Sequence, residues 1–260
     1  MGQAASAFSG LWRSLLGAII FYTIFPIPAS WNPSFHRIAR WCPLVGLIIG
    51  GLLSVVFLSL SSLRTPSLVT GAIITSLWVF VTGGLHLDGA MDSADGLAVT
   101  DPAKRLEVMT DSVTGAFGAM TAIIILLFKF AAIASLDTQN WWFLLIAPIW
   151  GRWSQVTAIA FFPYLKPNGK GAFHKQDFEQ NTDFNIASLL TISTSVSLLM
   201  FWSSNTTNIL AATCIAALIA ICTSYWFTFK FAGHTGDTYG AIVEWTESLI
   251  LIIISIPILQ

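Results

Sequence analysis

Apolar residues in this chain fall in long blocks separated by short polar breaks, a pattern that predicts helices of membrane-crossing length. A crossing helix needs about 20 apolar residues. Trp41 to Leu63 carries no charge and fits one crossing. Ser67 to Leu85 fits a second and delivers the chain to His86 and Asp88. Gly115 to Leu136, interrupted by Lys129, is a third, and Trp141 to Phe162, interrupted by Arg152, is a fourth. Phe184 to Phe229 has no charged residue and is too long for one helix. The polar run Ser203 to Asn208 divides it into two. Ser248 to Leu259 gives a short seventh crossing. The N-terminal block Leu15 to Ile27 is short and closes on Pro26-Ile27-Pro28, which predicts an interfacial or re-entrant helix, with a full crossing as the alternative.

Composition agrees with that pattern. Apolar residues make up 55% of the chain and charged residues 10%, with a mean hydropathy of +0.74. The 260 residues therefore form an all-α, polytopic integral membrane protein: one membrane-embedded domain (1–260) of about seven transmembrane helices plus the N-terminal helix. A net charge of −1 offers no field for nucleic acid. Cys42, Cys214 and Cys222 lie in or beside apolar segments without metal-ligand spacing, so apolar packing is their expected role. Sorting Lys and Arg by these crossings puts Arg13, Arg37, Arg40, Lys104, Arg105, Lys166, Lys170, Lys175 and Lys230 on one face and Arg64 alone on the other. Positive residues collect on the cytoplasmic side, so the first face is expected there.

The sharpest chemistry lies in DGAMDSADG, residues 88–96. Asp88, Asp92 and Asp95 are spaced i, i+4, i+7, which on a helix puts them within about 60° of one another over roughly 10 Å. Three carboxylates on one stripe repel one another unless a cation sits among them. A divalent metal at the membrane surface, Mg²⁺ by its preference for carboxylate and phosphate oxygens, is the expectation, and with it a phosphorylated substrate. A second acidic segment, Gly233 to Glu247, carries Asp237 and Glu244 at i, i+7 on the same predicted side, so both segments could converge on one metal cluster. Asp101 and Asp137 are expected to be ordinary loop carboxylates.

Basic and polar candidates surround these segments. Lys104 and Arg105 could bind phosphate or simply obey the charge rule. Asp111 could cap the following helix or add a ligand. The stretch Pro163 to Asp183, with Lys166, Lys170 and His174, reads as a flexible basic, glycine-bearing lid for an anion. Arg152, inside an apolar segment, should meet a carboxylate or a substrate phosphate. His86, two residues before Asp88, could act as a base near neutral pH or be satisfied by backbone.

Taken together, GGLHLDGAMDSADGL (residues 83–97), RLEVMTDSVTGAFG (residues 105–118) and GHTGDTYGAIVEWTE (residues 233–247) resemble the cobalamin synthase family, the integral-membrane adenosylcobinamide-GDP ribazoletransferases. The resemblance runs over essentially the whole chain. Thr110 and Val113 stand where the family pattern carries basic residues around the Asp-Ser pair, with Lys104 or Arg105 as available substitutes. His234 departs from a Gly-Gly pattern before Thr-Gly-Asp.

The resemblance implies a reaction. Adenosylcobinamide-GDP and α-ribazole, or its 5′-phosphate, would be the substrates, and GMP and adenosylcobalamin, or its 5′-phosphate, the products. The metal set would be Asp88, Asp92, Asp95, Asp237 and Glu244, holding Mg²⁺. Catalysis would involve Asp88, Asp92, Asp95 and His86, with Asp95 the candidate base. Lys104, Arg105, Asp111, Arg152, Lys166 and Lys170 would bind substrate. The family also implies the bacterial inner membrane, with the site on its cytoplasmic face. A CDP-alcohol phosphotransferase or an intramembrane prenyltransferase would also place aspartates on helices near that face. A cation transporter is the alternative from another class, but it would favour acidic residues near mid-membrane on several helices.

Overall fold

The computed structural model describes residues 2–111, 113–169, 171–201 and 206–256, with side chains described from residue 9 onward. Among these residues there are eleven α-helices and no strand beyond one isolated bridge, Tyr164 with His234. They are α1 (Gly2–Tyr22), α2 (Cys42–Ser62), α3 (Ser67–Thr82), α4 (Leu85–Ala98), α5 (Arg105–Val108), α6 (Ala116–Ala134), α7 (Phe143–Phe161), α8 (Phe173–Gln176), α9 (Gln180–Phe201), α10 (Thr206–Phe231) and α11 (Gly236–Ile254).

Every one of the seven expected crossings falls on a helix, but the helices are not alike. Ile38–Ser62, Ala116–Ala134, Gln180–Phe201 and Thr206–Phe231 are long and apolar enough to cross a membrane. The pair α3 and α4 passes the same test only when joined, and it bends by 89° at the break. Bent at that angle, α4 cannot extend the path of α3 across a bilayer. The two central helices are α7, buried along almost its whole length, and α11, which packs on α4, α6, α7 and α10. A helix enclosed by other helices does not need the all-round apolar surface that lipid demands, so α11 can carry acidic residues. The expected short crossing from Ser248 is corrected here: it is the second half of α11, which begins at Gly236. Most of the acidic segment from Gly233 to Glu247 is therefore helix interior rather than a surface connection. The divider at Ser203 to Asn208 lies largely outside the described residues, although α9 and α10 end and begin on either side of it.

The N-terminal block forms α1, which is not among the helices that meet the span criteria. It ends at Tyr22, and the Pro26 to Pro28 segment that follows is not helical. The core is built from large apolar side chains of the inner helices, including Ile49, Leu53, Trp78, Trp142 and Phe143, all essentially removed from solvent.

Candidate active site

The acidic stripe is set by the sharp turn that precedes it. Gly83 and Gly84 both have left-handed backbone, with φ of 59° and 70°. Residues with a Cβ resist that conformation, so the paired glycines let α3 stop and α4 leave at a steep angle. On α4 the helical register places Asp88, Asp92 and Asp95 on one face, as their spacing requires. Asp88 is exposed and lies in the first turn, where the helix N-terminus favours negative charge.

Two glycines bring α11 against this helix. A Cβ at Gly89 would stand 2.5 Å from the Asp237 carbonyl oxygen, and one at Gly240 would stand 2.9 Å from the His86 carbonyl oxygen. Only a crossing without side chains at these points allows such contact. The start of α11 is fixed in turn by a capping box between Thr235 and Thr238, and Thr235 Oγ1 donates to Asp237 Oδ2 at 3.2 Å. Asp237 thus joins the acidic stripe. Asp92, half-buried between them, has its carboxyl pushed up to about 6, first by burial and then by the charges of Asp88, Asp237 and Asp95, with Lys166 opposing. The stripe holds more negative charge than its protein partners neutralise.

Asp95 plays a different part from its neighbours. Its Oδ2 accepts from the Gly115 N–H at 2.7 Å and its Oδ1 from the Gly118 N–H at 2.8 Å. It therefore caps the start of α6 and ties that helix to the stripe. Asp111 is not that cap. It is exposed, and its Oδ1 accepts from the Val113 N–H at 3.2 Å within its own turn.

Among the described residues, Lys166 is the basic residue that reaches the stripe. Its Nζ lies 3.6 Å from Asp237 Oδ2 and donates to Thr110 Oγ1 at 3.2 Å. The segment that carries it is tethered at its start: Leu165 N–H donates to the His234 carbonyl at 2.7 Å, and His234 N–H to the Pro163 carbonyl at 2.9 Å. Gln176 Nε2 adds a bond to the Pro167 carbonyl at 3.0 Å. Lys170 lies outside the described residues. Arg105 faces elsewhere, donating from Nη1 to the Lys230 carbonyl at 2.7 Å, and Lys104 is exposed in a short turn.

Three expected site residues are taken out of the stripe. His86 precedes Asp88 by two positions, about 200° of helical turn, and so falls on the opposite, buried face of α4. There it stacks on Tyr22 at 5.9 Å between ring centroids. Glu244 is likewise not brought to the aspartates. Two turns further along α11, its Oε2 accepts from Lys129 Nζ at 2.7 Å. Arg152 meets a carboxylate, as a charge in an apolar segment must, but the partner is Glu247, in an ion pair with no solvent access. Lys129 also donates to Glu247 Oε2 at 2.6 Å and lies 4.3 Å from the centre of the Trp78 ring. Glu247 and Lys129 are functional-looking residues that spacing did not assign. The signal for them was the pair of unexplained cations, Lys129 and Arg152, inside apolar runs, together with two glutamates at i, i+3.

The donors on the stripe are all oxygens, which suits a hard cation. Among the described residues no group of three or more His, Cys, Asp or Glu side chains is arranged to hold a metal ion by itself. Mg²⁺ does not require one: it is commonly held by one or two carboxylates, with water and substrate phosphate completing its shell. The residues present fit such an ion in kind, with one or two of the Asp88, Asp92 and Asp237 carboxylates available to it and Lys166 beside them.

Fold and centre together define a polytopic all-α membrane protein with an oxygen-donor centre suited to phosphate chemistry. Comparison with known proteins makes this specific: the chain belongs to the cobalamin-5-phosphate synthase family, which it matches over residues 14–255. It is 48% identical over 249 residues to the adenosylcobinamide-GDP ribazoletransferase of Trichormus variabilis, covering 95% of this chain and 98% of that protein. To the protein of the same name from Synechocystis sp. it is 46% identical over 250 residues, covering 95% and 96%. A more distant relative of that name, from Prochlorococcus marinus, is 37% identical over 248 residues, covering 94% and 95%. No solved structure matches the chain.

Proposed function

We propose that the protein transfers the adenosylcobinamide phosphate group of adenosylcobinamide-GDP to α-ribazole or its 5′-phosphate, the late step that assembles the nucleotide loop of vitamin B12. The acidic stripe of α4, met by Asp237 and Lys166, carries this reading in a chain of this family. A ribose hydroxyl of the acceptor attacks the corrinoid-side phosphorus. A new P–O bond forms, the bond to the bridging diphosphate oxygen breaks, and GMP leaves. The product is adenosylcobalamin, or its 5′-phosphate when the acceptor is the phosphate.

Each residue has a task that follows from its place. Lys166, beside Asp237, offers a mobile ammonium to the diphosphate oxygens. One or two of the Asp88, Asp92 and Asp237 carboxylates would hold Mg²⁺, with water and substrate phosphate completing its shell. When bound, that ion supplies charge neutralisation at the diphosphate and the departing GMP. The hydroxyl proton passes to a carboxylate oxygen of Asp92. Asp95 is the poorer acceptor because both of its oxygens already receive N–H bonds from α6. The glycine crossing of α4 and α11 keeps these groups at a fixed separation. The excess of basic residues on the same predicted face favours a cytoplasmic site in a bacterial inner membrane.

The test is product formation by the purified protein in liposomes. With adenosylcobinamide-GDP, α-ribazole and Mg²⁺, the expected result is GMP and adenosylcobalamin in equal amounts, lost on chelation. Folded protein that forms no cobalamin under these conditions, or forms it equally well in chelator, contradicts the proposal or its metal respectively.

A further inference from the structure

Away from the acidic centre, α1 and the Ser34–Arg40 segment enclose a cavity of about 410 Å³ whose walls include Arg13, Ser14, Ser34, His36, Arg37 and Arg40. Its charges do not cancel. Arg37 Nη2 pairs with Asp183 Oδ1 at 2.7 Å and its Nη1 with Glu179 Oε1 at 2.5 Å. Arg40 Nη1 shares the same Asp183 oxygen at 3.5 Å. Arg13 donates to the Asn32 carbonyl at 2.7 Å and has no carboxylate partner among the described residues. Three guanidinium groups thus face two carboxylates. Arg40 is only 7% exposed, and its Nε has no hydrogen-bond partner. A buried guanidinium N–H left unpaired is costly, and the excess of guanidinium over carboxylate along this wall favours an anionic occupant.

Exposed aromatic residues lie next in sequence to residues that line the cavity, Trp12 beside Leu11 and Arg13 and Phe35 between Ser34 and His36. Trp12 stands beside Trp31, with ring centroids 6.5 Å apart, and both are about half exposed, as is Phe35. Exposed tryptophans beside arginines are what the headgroup layer of a bilayer selects. Arginine forks match phosphate oxygens, and anionic lipids concentrate at a basic membrane-facing surface. We propose that this cavity binds the phosphodiester headgroup of an anionic phospholipid, with Trp12, Trp31 and Phe35 lying in the interfacial layer around it. The exposed rings of Trp12, Trp31 and Phe35, on the segments that wall the cavity, favour a bilayer lipid over a free nucleotide, which would leave those rings in water. Such a lipid would hold the N-terminal half of α1 at the membrane surface, and the site is independent of the reaction proposed above. Tyr22, at the far end of α1, stacks on His86 of α4, so the lipid anchor and the acidic helix are linked through α1.

Native mass spectrometry of the detergent-purified protein, titrated with phosphatidylglycerol or with phosphatidylcholine of the same acyl chains, tests the site. The wild type should retain one phosphatidylglycerol in preference to phosphatidylcholine, and Arg13→Gln should weaken that retention about fivefold. Because Arg13 also holds the Asn32 carbonyl, Ser34→Asp, which adds a carboxylate to the same wall, is the second variant and should weaken it similarly. Equal retention of the two lipids by the wild type, or undiminished phosphatidylglycerol retention in both variants, overturns the proposal. Displacement of the lipid by GMP at equal concentration would overturn it too, by making the cavity a nucleotide site.

Discussion

Two clusters of acidic side chains share helix α11, the outer one reaching across to α4, and they are opposites. The outer one, Asp88, Asp92, Asp95 and Asp237, is partly solvated and has, among the described residues, one nearby ammonium, Lys166, 3.6 Å from Asp237. The inner one, Glu244 and Glu247, is buried and matched by two cations, Lys129 and Arg152. In the outer cluster the described residues leave charge uncompensated, as the cation and diphosphate of the proposed function would require. In the inner cluster, charge is balanced within the protein, which fastens α6, α7 and α11 together. Under the proposed function, similar residue types thus serve chemistry where they are in excess and architecture where they are paired.

The contrast breaks most sharply at Asp92. Asp92→Asn should lower kcat about a thousandfold while leaving the thermal unfolding temperature near that of the wild type, read by GMP release beside a melting curve. Glu247→Gln should do the reverse in kind. It leaves Lys129 with one carboxylate and Arg152 with none among the described residues, so it should cost about 3 kcal/mol of stability, measured by chemical denaturation in detergent. Lys166→Met should raise KM for adenosylcobinamide-GDP about tenfold with a smaller change in kcat, since it removes one charged contact to phosphate. Smallest of all, Asp111→Ala and Lys104→Ala should each change stability by no more than about 0.5 kcal/mol and leave steady-state rates close to those of the wild type.

Much of this contrast is written in local spacing, and the rest depends on packing between distant segments. The aspartate stripe could be read because i, i+4, i+7 is a property of one helix, and α4 forms as that spacing predicts. The same arithmetic, carried one step further, places His86 behind the stripe. Its nearness in sequence to Asp88 suggested a shared role that about 200° of helical rotation removes. Asp95 as a cap for α6 was not legible, because the glycine N–H groups it accepts from lie 20 and 23 residues away and carry no side-chain signal. The spacing of Asp237 and Glu244 puts both on one face of α11. Two turns of helix separate them, and Lys129, from a different helix, claims the glutamate. The unpaired cations in apolar runs did announce that partners existed, while naming Glu247 required the fold. Charged residues also hid the nature of the last helix, since their presence made Gly233 to Glu247 look like a surface segment when an enclosing ring of helices lets α11 carry them inside.

The most direct test of the division between the two clusters is to measure, on the same preparations, turnover and melting temperature for Asp92→Asn and Glu247→Gln in liposomes with Mg²⁺. The account predicts an inactive but normally stable Asp92→Asn and a Glu247→Gln whose melting temperature falls while its folded fraction still turns over. Substantial GMP release by Asp92→Asn, or a stable Glu247→Gln that has lost turnover, would contradict it.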